Sequence, residues 1–207
     1  MIGGKDEERL VIEDCFELGI KKTDMADMAN LIARHKARYH LGAFLARPGM
    51  SVLDFPCGTG YGSEFFKDTH YHGMDYNIDA IEYAKLRHKG IFSVADMRSV
   101  TFNEVFDLIL CIEGLEHIEQ EYQEPIIKAF RSSLIQGGRL LVSMPEAPGK
   151  SGPNPYNPYH LHELTFNDFE KLLREFFHNV QIITHEDTLH NGKKARLMFG
   201  ICQKGGK

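Results

Sequence analysis

Positive charge is in short supply in this chain, as are paired cysteines and long apolar runs. The sequence carries 24 Lys and Arg against 29 Asp and Glu, a formal net charge of −5. A general nucleic-acid binder needs the opposite balance, so nucleic acid is not an expected partner. The four cysteines, Cys15, Cys57, Cys111 and Cys202, are scattered and form no C-x-x-C pair. That suits reduced thiols in a cytoplasmic protein. No apolar run is long enough for a membrane span. The first residues, Met-Ile-Gly-Gly-Lys-Asp-Glu-Glu-Arg, are polar and do not read as a secretory leader. No internal repeat is visible.

What is present is an ordinary globular composition, 43% hydrophobic over 207 residues, enough for one α/β domain with a sizeable core. The chain is organised around Val52-Leu53-Asp54-Phe55-Pro56-Cys57-Gly58-Thr59-Gly60-Tyr61-Gly62. A short apolar run ends in a carboxylate, a glycine-rich turn follows, and Ser63-Glu64-Phe65-Phe66 reads as the start of a helix. Strand, tight turn and helix form the first unit of a doubly wound sheet, whose ligands lie at the carboxyl ends of the strands. Gly58 and Gly60 let the backbone turn sharply and approach a ligand. A dinucleotide fingerprint would put glycine where Ser63 stands. A phosphate loop would need a lysine after the turn, and Asp54 would repel phosphate. The carboxylate suits a ligand with an ammonium group.

On these residues the stretch resembles the first motif of class I S-adenosylmethionine-dependent methyltransferases, roughly Val-Leu-Asp-x-Gly-Cys-Gly-x-Gly, with Pro56 replacing the first glycine. S-adenosylmethionine carries an α-amino group and a sulfonium and no phosphate. The resemblance implies a Rossmann-like, doubly wound, mostly parallel seven-stranded sheet with an antiparallel last strand. Helical periodicity at 6–20 and 24–46 places an N-terminal helical cap over residues 1–47, ahead of a cofactor-binding domain over 48–207. Within the cap, Arg38 is a candidate partner for a cofactor carboxylate. Strands are expected at about 71–75, 91–94, 106–112, 139–144, 180–184 and 195–203. Helices are expected after Asn77, over 121–134 and after Thr165, with turns at Gln136-Gly137-Gly138 and His190-Asn191-Gly192-Lys193. Asp75 ends the second strand, where a carboxylate accepts hydrogen bonds from ribose hydroxyls. It also matches the family's second acidic motif, and Tyr76 follows it. The resemblance makes Asp96 and Met97 the adenine contacts. With Asp54, Pro56, Gly58, Gly60 and Ile112 these residues complete the expected cofactor set.

The reactive groups cluster after the fourth strand. Glu113, Glu116 and His117 share a side if that segment is helical, and His160 or His162 can descend from the Pro-rich loop 145–164. Two carboxylates with imidazole can bind a divalent cation. Metal-dependent small-RNA 2′-O-methyltransferases carry such a Glu-x-x-Glu-His with a later histidine, and ubiquinone-pathway catechol O-methyltransferases carry a similar one. Leu115-Glu116-His117-Ile118 and Asn157-Pro158-Tyr159-His160 more closely resemble bacterial small-molecule and glycan methyltransferases, to which no metal is assigned. The leading reading is therefore methyl transfer to an oxygen or nitrogen of a small-molecule or glycan acceptor. His117 is its general base, helped by Glu113 and His160. No metal is assigned. If one is present, its ligands are Glu113, Glu116, His117 and His160. The alternatives are a metal-dependent RNA 2′-O-methyltransferase, an NAD-dependent oxidoreductase and a non-catalytic cofactor-binding partner. Acceptor identity and oligomeric state are not legible.

Overall fold

Alternating side-chain directions in the strands separate two apolar layers, and a computed structural model shows both. It describes residues 35–99, 102, 105–188 and 194–205. The expected helix at 6–20, the first part of that at 24–46, and the turn at 190–193 lie outside these residues. The strands are β1 (Ser51–Asp54), β2 (His70–Asp75), β3 (Ile91–Val94), β4 (Phe106–Ile112), β5 (Leu134–Pro145), β6 (Asn179–Thr188) and β7 (Lys194–Gln203). The helices are α1 (35–45), α2 (Ile78–Arg87), α3 (Gln120–Ser133) and α4 (Phe166–Phe176). One seven-stranded sheet runs β3-β2-β1-β4-β5-β7-β6. The first five strands are parallel, and β7 runs antiparallel to both its neighbours. This is the architecture the sequence implied.

β4 is apolar almost throughout because both its faces are covered. Phe106, Ile109 and Cys111 enter one core layer, beneath α3 and α4, while Leu108, Leu110 and Ile112 enter the other. The order of the strands reverses between β1 and β4. That is the switch point of a doubly wound sheet, where a crevice opens at the carboxyl ends of the strands. Asn77 and Thr165 cap α2 and α4 as expected, accepting the backbone N–H of Ala80 and Asp168.

Two local expectations change. The helix expected after the glycine loop is only a 3-10 turn, Tyr61–Phe65, and the chain re-enters the sheet at His70. Three of its five residues, Tyr61, Gly62 and Ser63, are buried. The cover that a crossover helix would supply comes instead from α1. A Cβ on Gly42 would lie 3.0 Å from Leu110, 3.1 Å from Phe66 and 3.6 Å from Leu141, so α1 rests directly on the sheet there. The fifth strand also begins earlier, at Leu134, and carries Gln136-Gly137-Gly138 through an irregularity in its pairing with β4.

Gly60 shows how tightly the loop is seated. Its φ is +84°, and an added Cβ would sit 2.7 Å from the Ala84 Cβ and 2.8 Å from the Phe92 ring. Gly60→Ala is therefore expected to destabilise the fold by at least about 2 kcal/mol. A lower denaturant midpoint with an unchanged slope would register this.

Candidate active site

The carboxyl ends of β1, β2 and β4 open into a cavity of about 430 Å³, a size that suits a drug-sized ligand. Its floor is the loop after β1. The Phe55–Pro56 peptide is cis. Pro56 packs against Gly114 so closely that a Cβ there would lie 2.2 Å from the proline Cδ. The departure from the usual motif is therefore matched by a glycine on the facing segment. Gly58 has φ +54° and open space where a side chain would stand. Its N–H donates to Asp75 Oδ2 at 3.0 Å, and Asn77 N–H donates to Asp75 Oδ1 at 2.9 Å. Asp75 lines the cavity and is 2% exposed. One carboxylate thus fixes both the glycine loop and the start of α2.

The other expected cofactor residues divide. Pro56, Gly58, Tyr76, Asp96, Met97 and Ile112 all line the cavity with Asp75. Gly60 lies behind the loop, against Ala84 and Phe92. Asp96 is held by Arg98 through Nε–Oδ1 at 3.0 Å and Nη2–Oδ2 at 2.7 Å. The hydrogen bonds from Arg98 keep its carboxyl below the usual range.

Asp54 is not in the cavity wall. It is fully buried beneath the loop, where it accepts the Tyr39 hydroxyl at 3.0 Å and a short hydrogen bond from the Tyr71 hydroxyl. Desolvation pushes its pKa up to about 7, against the lowering effect of the two tyrosines. Gly62 makes room for this arrangement, since a Cβ there would be 2.4 Å from the Tyr39 ring. Periodicity could not have found Tyr71, which reads simply as an apolar strand residue.

Arg38 also sits behind the cavity wall. Its Nη2 is 3.3 Å from Glu113 Oε2, while its Nε and Nη1 are buried without a hydrogen-bond partner among the described residues. Ser143 Oγ donates to Glu113 Oε1 at 2.9 Å. Glu113 does line the cavity, but it does not share a helical face with Glu116 and His117. The chain passes through φ +48° at Glu113 and then forms the 3-10 turn Leu115–His117. Glu113 is thereby engaged by Arg38 and Ser143.

Glu116, His117 and His160 do come together, with one ligating atom from each lying within 4.8 Å of the others. The two imidazole rings stand edge to face with centroids 5.0 Å apart. His117 lines the cavity. Its Nδ1 is 3.0 Å from the Tyr159 carbonyl oxygen, and His160 Nδ1 is 2.5 Å from Glu163 Oε1. Asn154 Nδ2 also donates to that Glu163 oxygen. His162 points elsewhere, to Gln123. The Gln123 amide donates to the carbonyls of Leu115 and His162, both at 2.8 Å, and so ties the 3-10 turn to the histidine loop. Ser143, Gln123 and Glu163 were not legible as site residues. A polar residue on the apolar face of α3 was the one signal for Gln123.

Comparison with known proteins identifies the arrangement. Residues 52–138 match the family model described as a methyltransferase domain. The chain carries a class I S-adenosylmethionine-dependent methyltransferase domain. An S-adenosylmethionine-dependent methyltransferase from Methanosarcina mazei has the same fold. Its TM-score is 0.67 at 19% identity, over 81% of this chain and 98% of the other. In sequence, the chain is 33% identical over 114 residues to phosphoethanolamine N-methyltransferase 1 of Zea mays. It is 29% identical over 137 residues to a probable S-adenosylmethionine-dependent methyltransferase of Mycolicibacterium smegmatis. These matches cover 50% and 60% of this chain, but only 22% of the maize protein and 50% of the mycobacterial one. Among the described residues no helix is long and apolar enough to cross a membrane.

Proposed function

We propose that the chain transfers a methyl group from S-adenosylmethionine to an oxygen or nitrogen of a small-molecule or glycan acceptor. The observation that carries this reading is one cavity shared by the glycine loop, the locked Asp75 and His117. The bare Gly58 backbone and the carboxylate at the end of β2 suit a nucleoside. Asp75 would accept its ribose hydroxyls, and Asp96 with Met97 would meet its adenine. Arg38, behind the wall beside Glu113 and with two buried nitrogens that have no hydrogen-bond partner among the described residues, supplies positive charge at this end of the cavity for a carboxylate. When bound, the cofactor supplies a methyl on a positively charged sulfur that departs as a neutral thioether. The protein's task is then alignment and removal of the acceptor's proton. His117 is the group in the wall suited to take that proton. The Tyr159 carbonyl accepts from Nδ1, which leaves the lone pair on Nε2. The name of the maize relative supports a small amine as acceptor.

The test is transfer of labelled methyl from S-adenosylmethionine into a cell extract fractionated into RNA, protein, glycolipid and small molecules. Label in the glycolipid or small-molecule fraction is expected, and His117→Ala is expected to lower turnover at least about 100-fold with little change in cofactor affinity. Label confined to RNA would overturn the acceptor class. Full turnover in His117→Ala would remove that residue from the reaction.

A further inference from the structure

We propose that Glu116, His117 and His160 form a divalent-cation site beside the cavity, selective for a borderline metal such as zinc or cobalt over magnesium. Three independent observations converge on it. The first is distance: one carboxylate oxygen and two imidazole nitrogens lie within 4.8 Å of one another, so small side-chain rotations bring all three to the bond lengths of one ion. The second is the state of Glu116. It is 0% exposed, and neither of its oxygens has a hydrogen-bond partner among the described residues. An ionised carboxylate so buried is costly unless a cation compensates it.

The third is how the rings are held. Each Nδ1 faces an acceptor, the Tyr159 carbonyl for His117 and the Glu163 carboxylate for His160. A carbonyl or carboxylate can only accept, so each Nδ1 carries the proton and each Nε2 presents its lone pair. Metal-binding histidines are oriented in this way, by a carboxylate or carbonyl on the nitrogen away from the ion. Gln123 fixes the same geometry from below by joining the Leu115 and His162 carbonyls.

The donor set decides the class of ion. Two imidazoles and one carboxylate suit zinc, cobalt or iron(II), whereas magnesium prefers oxygen and keeps its waters. Glu113, a fourth candidate from the sequence, is engaged by Arg38 and Ser143 instead. Three protein ligands leave a position open, as catalytic sites do. Because His117 is part of the cavity wall, an ion here would stand next to the acceptor. His117 would then act through the ion, which lowers the pKa of a bound hydroxyl or amine.

The site does not depend on the proposed transfer reaction, so it is tested without S-adenosylmethionine. The full chain is stripped with a chelator and titrated with Co²⁺ alone, followed by calorimetry and visible absorption. One equivalent should bind and develop the d–d bands of a nitrogen–oxygen site, and an excess of Mg²⁺ should not displace it. Glu116→Gln should weaken Co²⁺ binding by at least about tenfold, and Glu163→Gln by about 10- to 100-fold through the loosened His160 ring. Melting curves without metal establish that the variants are folded, and His160→Ala serves if Glu116→Gln is not. Absence of saturable binding would overturn the proposal. So would Co²⁺ binding that is equally tight in the folded Glu116 or His160 variant, since the ligands would then be other histidines.

Discussion

Asp75→Ala is expected to weaken binding of S-adenosylhomocysteine by at least about a hundredfold, read by calorimetry on protein shown to be folded. That corresponds to about 2.7 kcal/mol, and the geometry explains why it should be so large. The carboxylate does two jobs with two oxygens. Oδ2 holds the Gly58 N–H and Oδ1 holds the Asn77 N–H, while the same side chain faces the cavity. Hydrogen bonds to a charged group contribute about 1.5–3 kcal/mol each. Removing Asp75 therefore loosens the glycine loop as well as deleting the acceptor for the ribose. Asp75→Asn is expected to bind almost as poorly. An amide can accept one of the two backbone N–H groups only by turning its own N–H₂ toward the other. Affinity within about threefold of the parent in Asp75→Ala would show that the ligand lies elsewhere in the cavity.

The second large effect is a pH dependence of stability that passes through Asp54. In the unfolded chain this carboxyl titrates near its ordinary value of 3.8, while in the fold burial raises it to about 7. Between those values the folded protein holds a proton that the unfolded chain has lost. The resulting stabilisation is complete below about pH 4 and is lost as the pH rises through 7, at up to about 1.4 kcal/mol per pH unit. The groups facing Asp54 do not cancel the trend. Tyr39, Tyr61, Tyr71 and Cys111 meet it as neutral hydroxyls and a thiol whose own pKa values its charge raises. Asp75 adds a like charge. Asp54→Asn keeps an oxygen for the tyrosines and removes the charge. Urea midpoints for parent and variant, compared from about pH 4.5 to 8, should diverge with rising pH, the variant gaining a few kcal/mol relative to the parent. Parallel curves would contradict the assignment.

How much of this was legible in advance follows from how local each signal is. The doubly wound sheet was legible because β4 and β5 carry long apolar runs and turn residues separate them. Asp75 was legible because a carboxylate ending a buried strand has few other places to go. Asp54 ends a strand too, yet it turns under the loop, because Tyr39 reaches it from α1 and Tyr71 from β2. Neither contact has a sequence spacing that could reveal it. Glu113 was misplaced for a similar reason. The expected shared face assumed a helix, whereas the left-handed residue at Glu113 turns its side chain toward Arg38 and Ser143. His117 and His160 lie 43 residues apart in sequence and were paired through motif resemblance. The Gln123 bridge that holds their segments together gave no pattern to read.

The placement of α1 bears on how such chains diversify. A lid that only covers a pocket can be exchanged between proteins like a removable part. Here the segment before β1 fills the position of a missing crossover helix and supplies Tyr39 to a buried carboxylate. A graft joined just ahead of β1 would carry away part of the interior. Variation in acceptor preference then has to be gradual along α1, confined to positions that face away from Leu110, Phe66 and Leu141. The loop 145–164 offers no freer ground, because Tyr159, His160 and Glu163 hold the histidine pair and Gly152 is tied to Glu163.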